Sequence, residues 1–403
     1  MMNIVRVPIF VLLALMLSAL AAEADEASWE FSADVELQSR FFAQDALWSG
    51  QESRAGQFSI AASAELRWRS DAGNQRASFI PYLRWDEADD ERSLTDLREA
   101  YWAFEAESYE LLIGANTIFW GVTESVHLVD IINQTDSAAD IDGEDKLGQP
   151  MVNLEVQRDW GLISLYVLPY FRERTFAGIN GRLRAPLVVD TDRPVYESSR
   201  EQNHVDVALR YSHYLGDIDI GLSYFSGTSR EPRLLPNIDG TSLLPHYDQI
   251  DQFGVDLQWT RDAWLWKLEA MVRDGFDEPF AAAVAGFEYT FYQIAESAAD
   301  IGVLMEFQYD DRSASEPLTL ADNDLFVAAR LVLNDAQNTA LLAGVVIDID
   351  TAETFFSIEA QRRFGDNVIL ELRVRAITGA ELGEPAFAFS RDDFIQLQVT
   401  RFF

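Results

Sequence analysis

The chain contains no cysteine. That excludes a lipoprotein anchor, a disulfide scaffold and any thiolate metal site. Histidine is nearly as scarce, with only His127, His204, His213 and His246. Ser212 and His213 are adjacent, which on a strand places them on opposite faces and rules out a dyad between them. Basic residues are few: 31 Lys and Arg stand against 67 Asp and Glu, for a net charge of -36. Such acidity argues against nucleic acid and anionic lipid surfaces as partners and fits large acidic loops in water. No phosphate loop, H-E-x-x-H or dinucleotide fingerprint occurs. The acidic run Asp140–Asp145 lacks the full spacing of a calcium loop. We therefore expect no catalytic residue, no metal site and no cofactor. There is also no repeat, low-complexity tract, coiled coil or linker.

Long apolar runs are missing too, apart from one at the start. Residues 1–24 read as a Sec signal peptide: Arg6 in a basic n-region, an apolar stretch from Val7 to Leu20, and Ala22-Glu23-Ala24 before Asp25. That run is too short to span a bilayer as a helix, and no later run is long enough. Residues 25–403 are expected to be exported as one domain. If they enter a membrane, they do so as strands.

What the chain has in abundance is alternation. Trp29, Phe31, Ala33, Val35 and Leu37 recur at every second position, as do Phe58, Ile60, Ala62, Ala64, Leu66 and Trp68. This is the pattern of a strand with one apolar face. The same test marks eighteen segments of about ten residues, the length that crosses a bilayer at barrel tilt. Pro81 interrupts the third and predicts a bulge there. The connections alternate short and long. Glu107–Ser108, Asp159–Trp160, Gly216–Asp217 and Arg261–Asp262 belong to the short set. Gln44–Gly56, Trp120–Gln149, Glu173–Gln202 and Thr228–Gln249 belong to the long set. Tight turns at one rim and long loops at the other predict an all-β, transmembrane, antiparallel up-and-down barrel. The count is eighteen strands, with sixteen as the alternative.

The last segment, Asp393–Phe403, alternates from Ile395 and ends on an aromatic residue. It resembles the final strand of Gram-negative outer-membrane barrels of the porin type. In those proteins the terminal aromatic, here Phe403, belongs to the signal read by the insertion machinery. Phe119-Trp120-Gly121 with Asp130–Asp136 also resembles a signature of porin-like families. The resemblance implies residence in the cell outer membrane, contact with its lipid and lipopolysaccharide, and a homotrimer as the porin-like assembly.

In porins the third external loop folds into the lumen and sets the bore. The third long connection here carries Glu124, Asp130, Asp136, Asp140, Asp142, Glu144 and Asp145 against Lys146, with Val126, Leu128, Val129, Ile131 and Ile132 for packing. The resemblance implies that it forms a constriction. The alternative is an external or disordered acidic cap. Inward positions of the second, third, sixteenth and seventeenth strands would place Arg67, Arg69, Arg84, Arg363, Arg373 and Arg375 on one basic patch of the wall. Lumenal salt bridges are the plainer use of those arginines. The implied function is a passive channel for small hydrophilic solutes, biased to cations or zwitterions. Alternatives are a channel for hydrophobic compounds, a loop-filled adhesin or scaffold, and an outer-membrane hydrolase.

Overall fold

An apolar residue at every second position lets one face of a strand meet hydrocarbon while the other meets water. In the computed structural model, which describes residues 28–351 and 353–403, eighteen strands form a single antiparallel sheet. The predicted leader, residues 1–24, lies outside the described residues. The first six strands are β1 (Ser28–Phe42), β2 (Gly56–Arg69), β3 (Gln75–Asp86), β4 (Leu94–Glu105), β5 (Tyr109–Asn116) and β6 (Gln149–Arg158). Then come β7 (Gly161–Leu168), β8 (Asp206–Leu215), β9 (Ile218–Thr228), β10 (Gln249–Arg261), β11 (Trp264–Asp274) and β12 (Phe280–Phe291). The last six are β13 (Asp300–Asp310), β14 (Asp324–Val332), β15 (Ala340–Asp348), β16 (Thr354–Phe364), β17 (Val368–Thr378) and β18 (Phe394–Phe402).

Each strand pairs with its sequence neighbours, and β18 pairs with β1 from Asp34 opposite Phe402 to Phe42 opposite Phe394. The sheet is thereby closed and has no free edge. Closure matters because an unpaired amide in hydrocarbon costs several kcal/mol, roughly, and a closed ladder leaves none.

The alternation resolves as expected. On β10 and β11, Val255 faces Ala270 and Leu257 faces Leu268 across the ladder. The same face carries Phe253, 63% exposed, and Val272, 52% exposed. The opposite face carries Gln252, Asp256, Lys267, Glu269 and Arg273, all buried in the lumen. Aromatic residues gather at the strand ends near the tight turns. Trp264 lies 5.5 Å from Trp266 and 4.6 Å from Tyr289, and Trp29 lies 6.4 Å from Trp68.

The register of β3 and β4 shifts between Ile80 and Pro81, where proline cannot donate to the ladder. Two strands end sooner than their alternation suggests. β5 stops at Asn116 and β7 at Leu168, because there the chain leaves the wall. The loop between β5 and β6 runs from 117 to 148 and the next long loop from 169 to 205.

The other long loops brace one another over the mouth. Arg182 meets Asp392 at 2.8 Å with both side chains 1% exposed, and its guanidinium lies 4.3 Å from the Phe42 ring centre. Arg184 donates to the Ser49 carbonyl at 2.8 Å, and Asp89 accepts the Gly178 N–H at 2.8 Å. A second small sheet of Val195–Tyr196, Arg233–Pro236 and Leu243–Tyr247 ties the loop after β7 to the loop after β9.

If the outer face of β10 meets lipid, Leu257→Arg should destabilise the barrel by about 2–4 kcal/mol, and Gln258→Arg on the inner face by less than about 1 kcal/mol. Denaturant unfolding in lipid vesicles checks this; equal costs would contradict the assigned faces.

Candidate functional site

The loop from 117 to 148 turns into the barrel because its apolar residues find a surface there. Trp120, Val129, Ile131 and Ile132 are buried in one cluster with Ala103, Leu112, Met151, Tyr166, Leu168 and Phe225 of the inner wall. The Trp120 ring meets Tyr166 edge-on at 5.6 Å. The inner face of β7, with Tyr166 and Leu168, is thus covered by the loop rather than by water.

The neck of the loop is closed by Asn133. Its side chain accepts from the Ile118 N–H at 2.9 Å and donates to the Asn116 carbonyl at 2.9 Å and the Leu147 carbonyl at 2.8 Å. Beyond it, the Asp136 N–H bonds the Asp145 carbonyl at 2.7 Å and the Leu147 N–H bonds the Gln134 carbonyl at 2.8 Å. Residues 134–147 thus form a hairpin with its tip near Ile141. Two glycines permit close approach. A Cβ on Gly121 would lie 2.8 Å from His127 Nδ1, and one on Gly148 would lie 2.0 Å from the Leu97 carbonyl oxygen.

Two arms reach the wall on different sides. In the first arm the backbone donates to wall carboxylates. Glu269 of β11 accepts the N–H groups of Val122 at 2.7 Å and Thr123 at 3.0 Å, and the Thr123 hydroxyl at 2.7 Å. Glu306 of β13 accepts the N–H groups of Glu124 and Ser125, each at 2.8 Å. The Glu124 carboxylate then meets Arg330 of β14 at 2.6 Å and Lys267 of β11 at 3.7 Å.

In the second arm the charges are reversed, with acidic groups on the loop and arginines on the wall. Asp136 meets Arg84 of β3 at 2.8 Å. Asp140, itself 2% exposed, meets Arg373 of β17 at 2.6 Å and Arg40 of β1 at 3.7 Å. Asp142 lies 3.5 Å from Arg373 and 3.3 Å from Arg375. Arg40 and Arg92 donate to the Ala139 carbonyl, and Arg98 donates to the Lys146 carbonyl. The loop therefore bridges the bore from the β10–β14 wall to the β17–β3 wall.

Burial works against ionisation of Asp140, but Arg40, Arg373 and Arg375 hold its carboxyl below the ordinary aspartate value. Asp142 is pushed up to about 6, by burial first and by Asp140 next. Burial also raises Asp130 and Asp145, against the pull of Lys146 on the first and of Arg84 and Arg98 on the second. His127 is opposed by burial, yet the carboxylates of Glu144 at 3.2 Å and Glu269 at 3.7 Å raise it to about 10, so it stays a cation. The bond from His127 lowers Glu144.

The seven acids of the loop thus have different surroundings. Asp136, Asp140 and Asp142 meet wall arginines. Glu124 meets the opposite wall, Asp130 pairs with Lys146 inside the loop at 3.1 Å, and Glu144 pairs with His127 at 3.2 Å. The six arginines expected on one patch divide in two. Arg84, Arg373 and Arg375 meet the loop. Arg67 and Arg69 instead line a cavity of about 420 Å³ with Arg76 at the tight-turn end, where Arg67 pairs with Glu65. Arg363 also sits near that end, one residue before the last of β16. Alternation assigns a face but not a height along the barrel axis, so the split was not legible. The same rule could have found Arg40, Arg98, Glu269, Glu306 and Arg330 as inward residues; nothing local marks them as partners of the loop.

The bore is not filled on the side of β13–β18. An outer cavity of about 650 Å³ is lined by the loop and by β13–β17, and an inner cavity of about 280 Å³ by β14–β18. Both include Glu124, Leu342 and Glu359 in their walls, so they adjoin at that level. A further cavity of about 280 Å³ beneath the loop is lined by Arg40, Arg84, Arg92, Arg98 and Arg373.

No family model matches the sequence, and no curated protein matches it. Solved structures do. OpdQ of Pseudomonas aeruginosa is similar with a TM-score of 0.52 at 12% identity, covering 94% of this chain and 99% of its own. A BenF-like porin from Pseudomonas fluorescens Pf-5 gives 0.51 at 9% identity, covering 93% and 98%. The chain shares the barrel fold of these Gram-negative porins. Wzi of Escherichia coli, described as a carbohydrate-binding β-barrel involved in capsule assembly, gives 0.52 at 10% identity, covering 97% and 87%. At these identities the likeness is one of fold. Within this barrel the loop's contacts are those of its own residues.

Asp140→Asn would leave Arg40 and Arg373 without their shared anion. Breaking such a buried pair typically costs about 3–5 kcal/mol. Because its carboxyl lies below the ordinary value, Asp140 stabilises the loop above pH ~4, and that contribution fades as pH falls through its depressed value. Hydrogen exchange of the amides in 134–147 should quicken sharply in the variant; unchanged exchange would show that the ion pairs do not hold the loop.

Proposed function

We propose that the protein is a passive outer-membrane channel for small hydrophilic solutes. The observation that carries this reading is the pair of adjoining cavities left between the loop and the wall of β14–β17. Solute would descend along that wall, past Glu124, Leu342 and Glu359, into the inner cavity. The route bears charges of both signs. Glu124, Asp142, Glu359 and Glu371 lie beside it, and so do Arg330, Arg373 and Arg375. A narrow passage with opposed charges orients dipolar solutes, and rings of carboxylates favour cations. With a net charge of -36 behind it, the passage suits zwitterions and small cations better than anions. Diffusion down a gradient needs neither cofactor nor ATP.

A second reading is a barrel occupied by its own loop that serves as a scaffold or adhesin. The buried apolar contact between loop and wall favours it. Purified protein in planar bilayers separates the two. Stepwise, salt-dependent conductance with a cation-biased reversal potential is expected, and replacing 122–146 with a short Gly-Ser link should raise the step several-fold. A silent bilayer would overturn the channel.

Protonation of Asp142 near pH 6 removes one negative charge from the passage. Lowering the pH from 7.5 to 5 should therefore weaken cation preference, and Asp142→Asn should show part of that weakening already at pH 7.5, with a smaller further change on acidification. Reversal potentials check this; a pH response undiminished in the variant would assign it to another group.

A further inference from the structure

The inner wall of a water-filled barrel is ordinarily polar. Around the outer cavity it is not. Phe326 of β14, Leu342 and Val346 of β15, Phe355 of β16 and Ile377 of β17 all line it from inward positions. Leu304 and Ala328 extend the same cluster, and Leu318 and Leu320 face it from the loop after β13. At about 650 Å³ the cavity has the size of a small-molecule site.

Its charge is one-sided. Seven carboxylates line it, against Arg174, Arg375 and His127. Arg375 is already bound to Asp142 and Glu359, and His127 to Glu144. Asp324 and Asp348, at the ends of β14 and β15, come together with Asp322 so that one carboxylate oxygen of each lies within 4.8 Å of the others. Burial first, and then the neighbouring acids Glu384, Asp348, Asp324 and Asp322, raise Glu353 to about 7. Gln308, 3% exposed, lines the same cavity, and its Oε1 accepts no hydrogen bond among the described residues. The cavity thus offers an apolar surface and an excess of acidic groups over basic ones.

We propose that this outer cavity binds amphipathic cations: solutes that carry an ammonium or guanidinium group on an aromatic ring or a short branched chain. The apolar body lies on Phe326, Leu342 and Val346, and the cation sits among Asp324, Asp348 and Glu353. The inference deepens the channel reading and rests on it, since the cavity is the first compartment of the proposed route.

Calorimetric titration of the full-length protein in lipid nanodiscs tests the site with four probes: phenethylammonium, ethylammonium, 3-phenylpropionate and calcium. Phenethylammonium should bind at least about tenfold more tightly than ethylammonium, the difference a buried ring supplies. 3-Phenylpropionate should not bind. Val346→Ser should weaken phenethylammonium several-fold, and so should Asp348→Asn combined with Glu353→Gln, each with ionic conductance retained. Equal binding of the two amines, preference for the carboxylate, binding of calcium alone, or no heat from any probe would each overturn the proposal. Conductance of the same preparation keeps the two readings apart. A silent bilayer with amine binding intact sinks the channel and keeps the site, whereas a conducting channel without amine preference does the reverse.

Discussion

Hydrocarbon offers no hydrogen-bond partner to a backbone amide, and the rest of this structure follows from that. A chain that crosses as strands must close its sheet, so β18 returns to β1. Closure with eighteen strands encloses a bore wider than the wall side chains can fill. Something has to occupy it, or the bore stays wide. Here a length of the chain's own backbone does so in part, and every polar group it carries inward must be matched by the wall.

The matching is done by charge in two opposite senses. On the β11–β13 side the wall supplies carboxylates, Glu269 and Glu306, and the loop supplies N–H groups. On the β17–β3 side the wall supplies arginines and the loop supplies Asp136, Asp140 and Asp142. Charge-assisted bonds of this kind are stronger than neutral ones, and loss of either member leaves a buried charge. The apolar residues between the arms seat the loop on β5–β9. A loop anchored at both ends and packed in its middle covers part of the bore and leaves cavities along the wall of β13–β18.

Much of this could be read beforehand, and the limits are instructive. Period-two alternation located eighteen strands and their faces, because lipid and water on opposite sides write that period directly. The parity of loop lengths put tight turns at one rim and long loops at the other, and Pro81 marked the shift in β3. The depth of the loop rested on its acids and isoleucines. Its docking was not legible, since Glu269 and Glu306 lie more than a hundred residues from the amides they bind and look like any other inward glutamates. The arginines were legible as inward residues but not by height, which separated Arg67, Arg69 and Arg363 from Arg84, Arg373 and Arg375. The apolar stretch of inner wall at Phe326, Leu342 and Val346 breaks the alternation rule and stood out only once the cavity in front of it was seen.

The absence of native cysteine gives a direct test of which half of the bore is open. Leu342→Cys would place a thiol on the open side, and Met151→Cys a thiol beneath the docked loop. The measurement is the rate at which a charged, membrane-impermeant thiol reagent modifies each in intact membranes. The account requires Leu342→Cys to react readily and Met151→Cys to be strongly protected. Equal rates at the two positions would contradict it, because the loop would then not be seated against β5–β9.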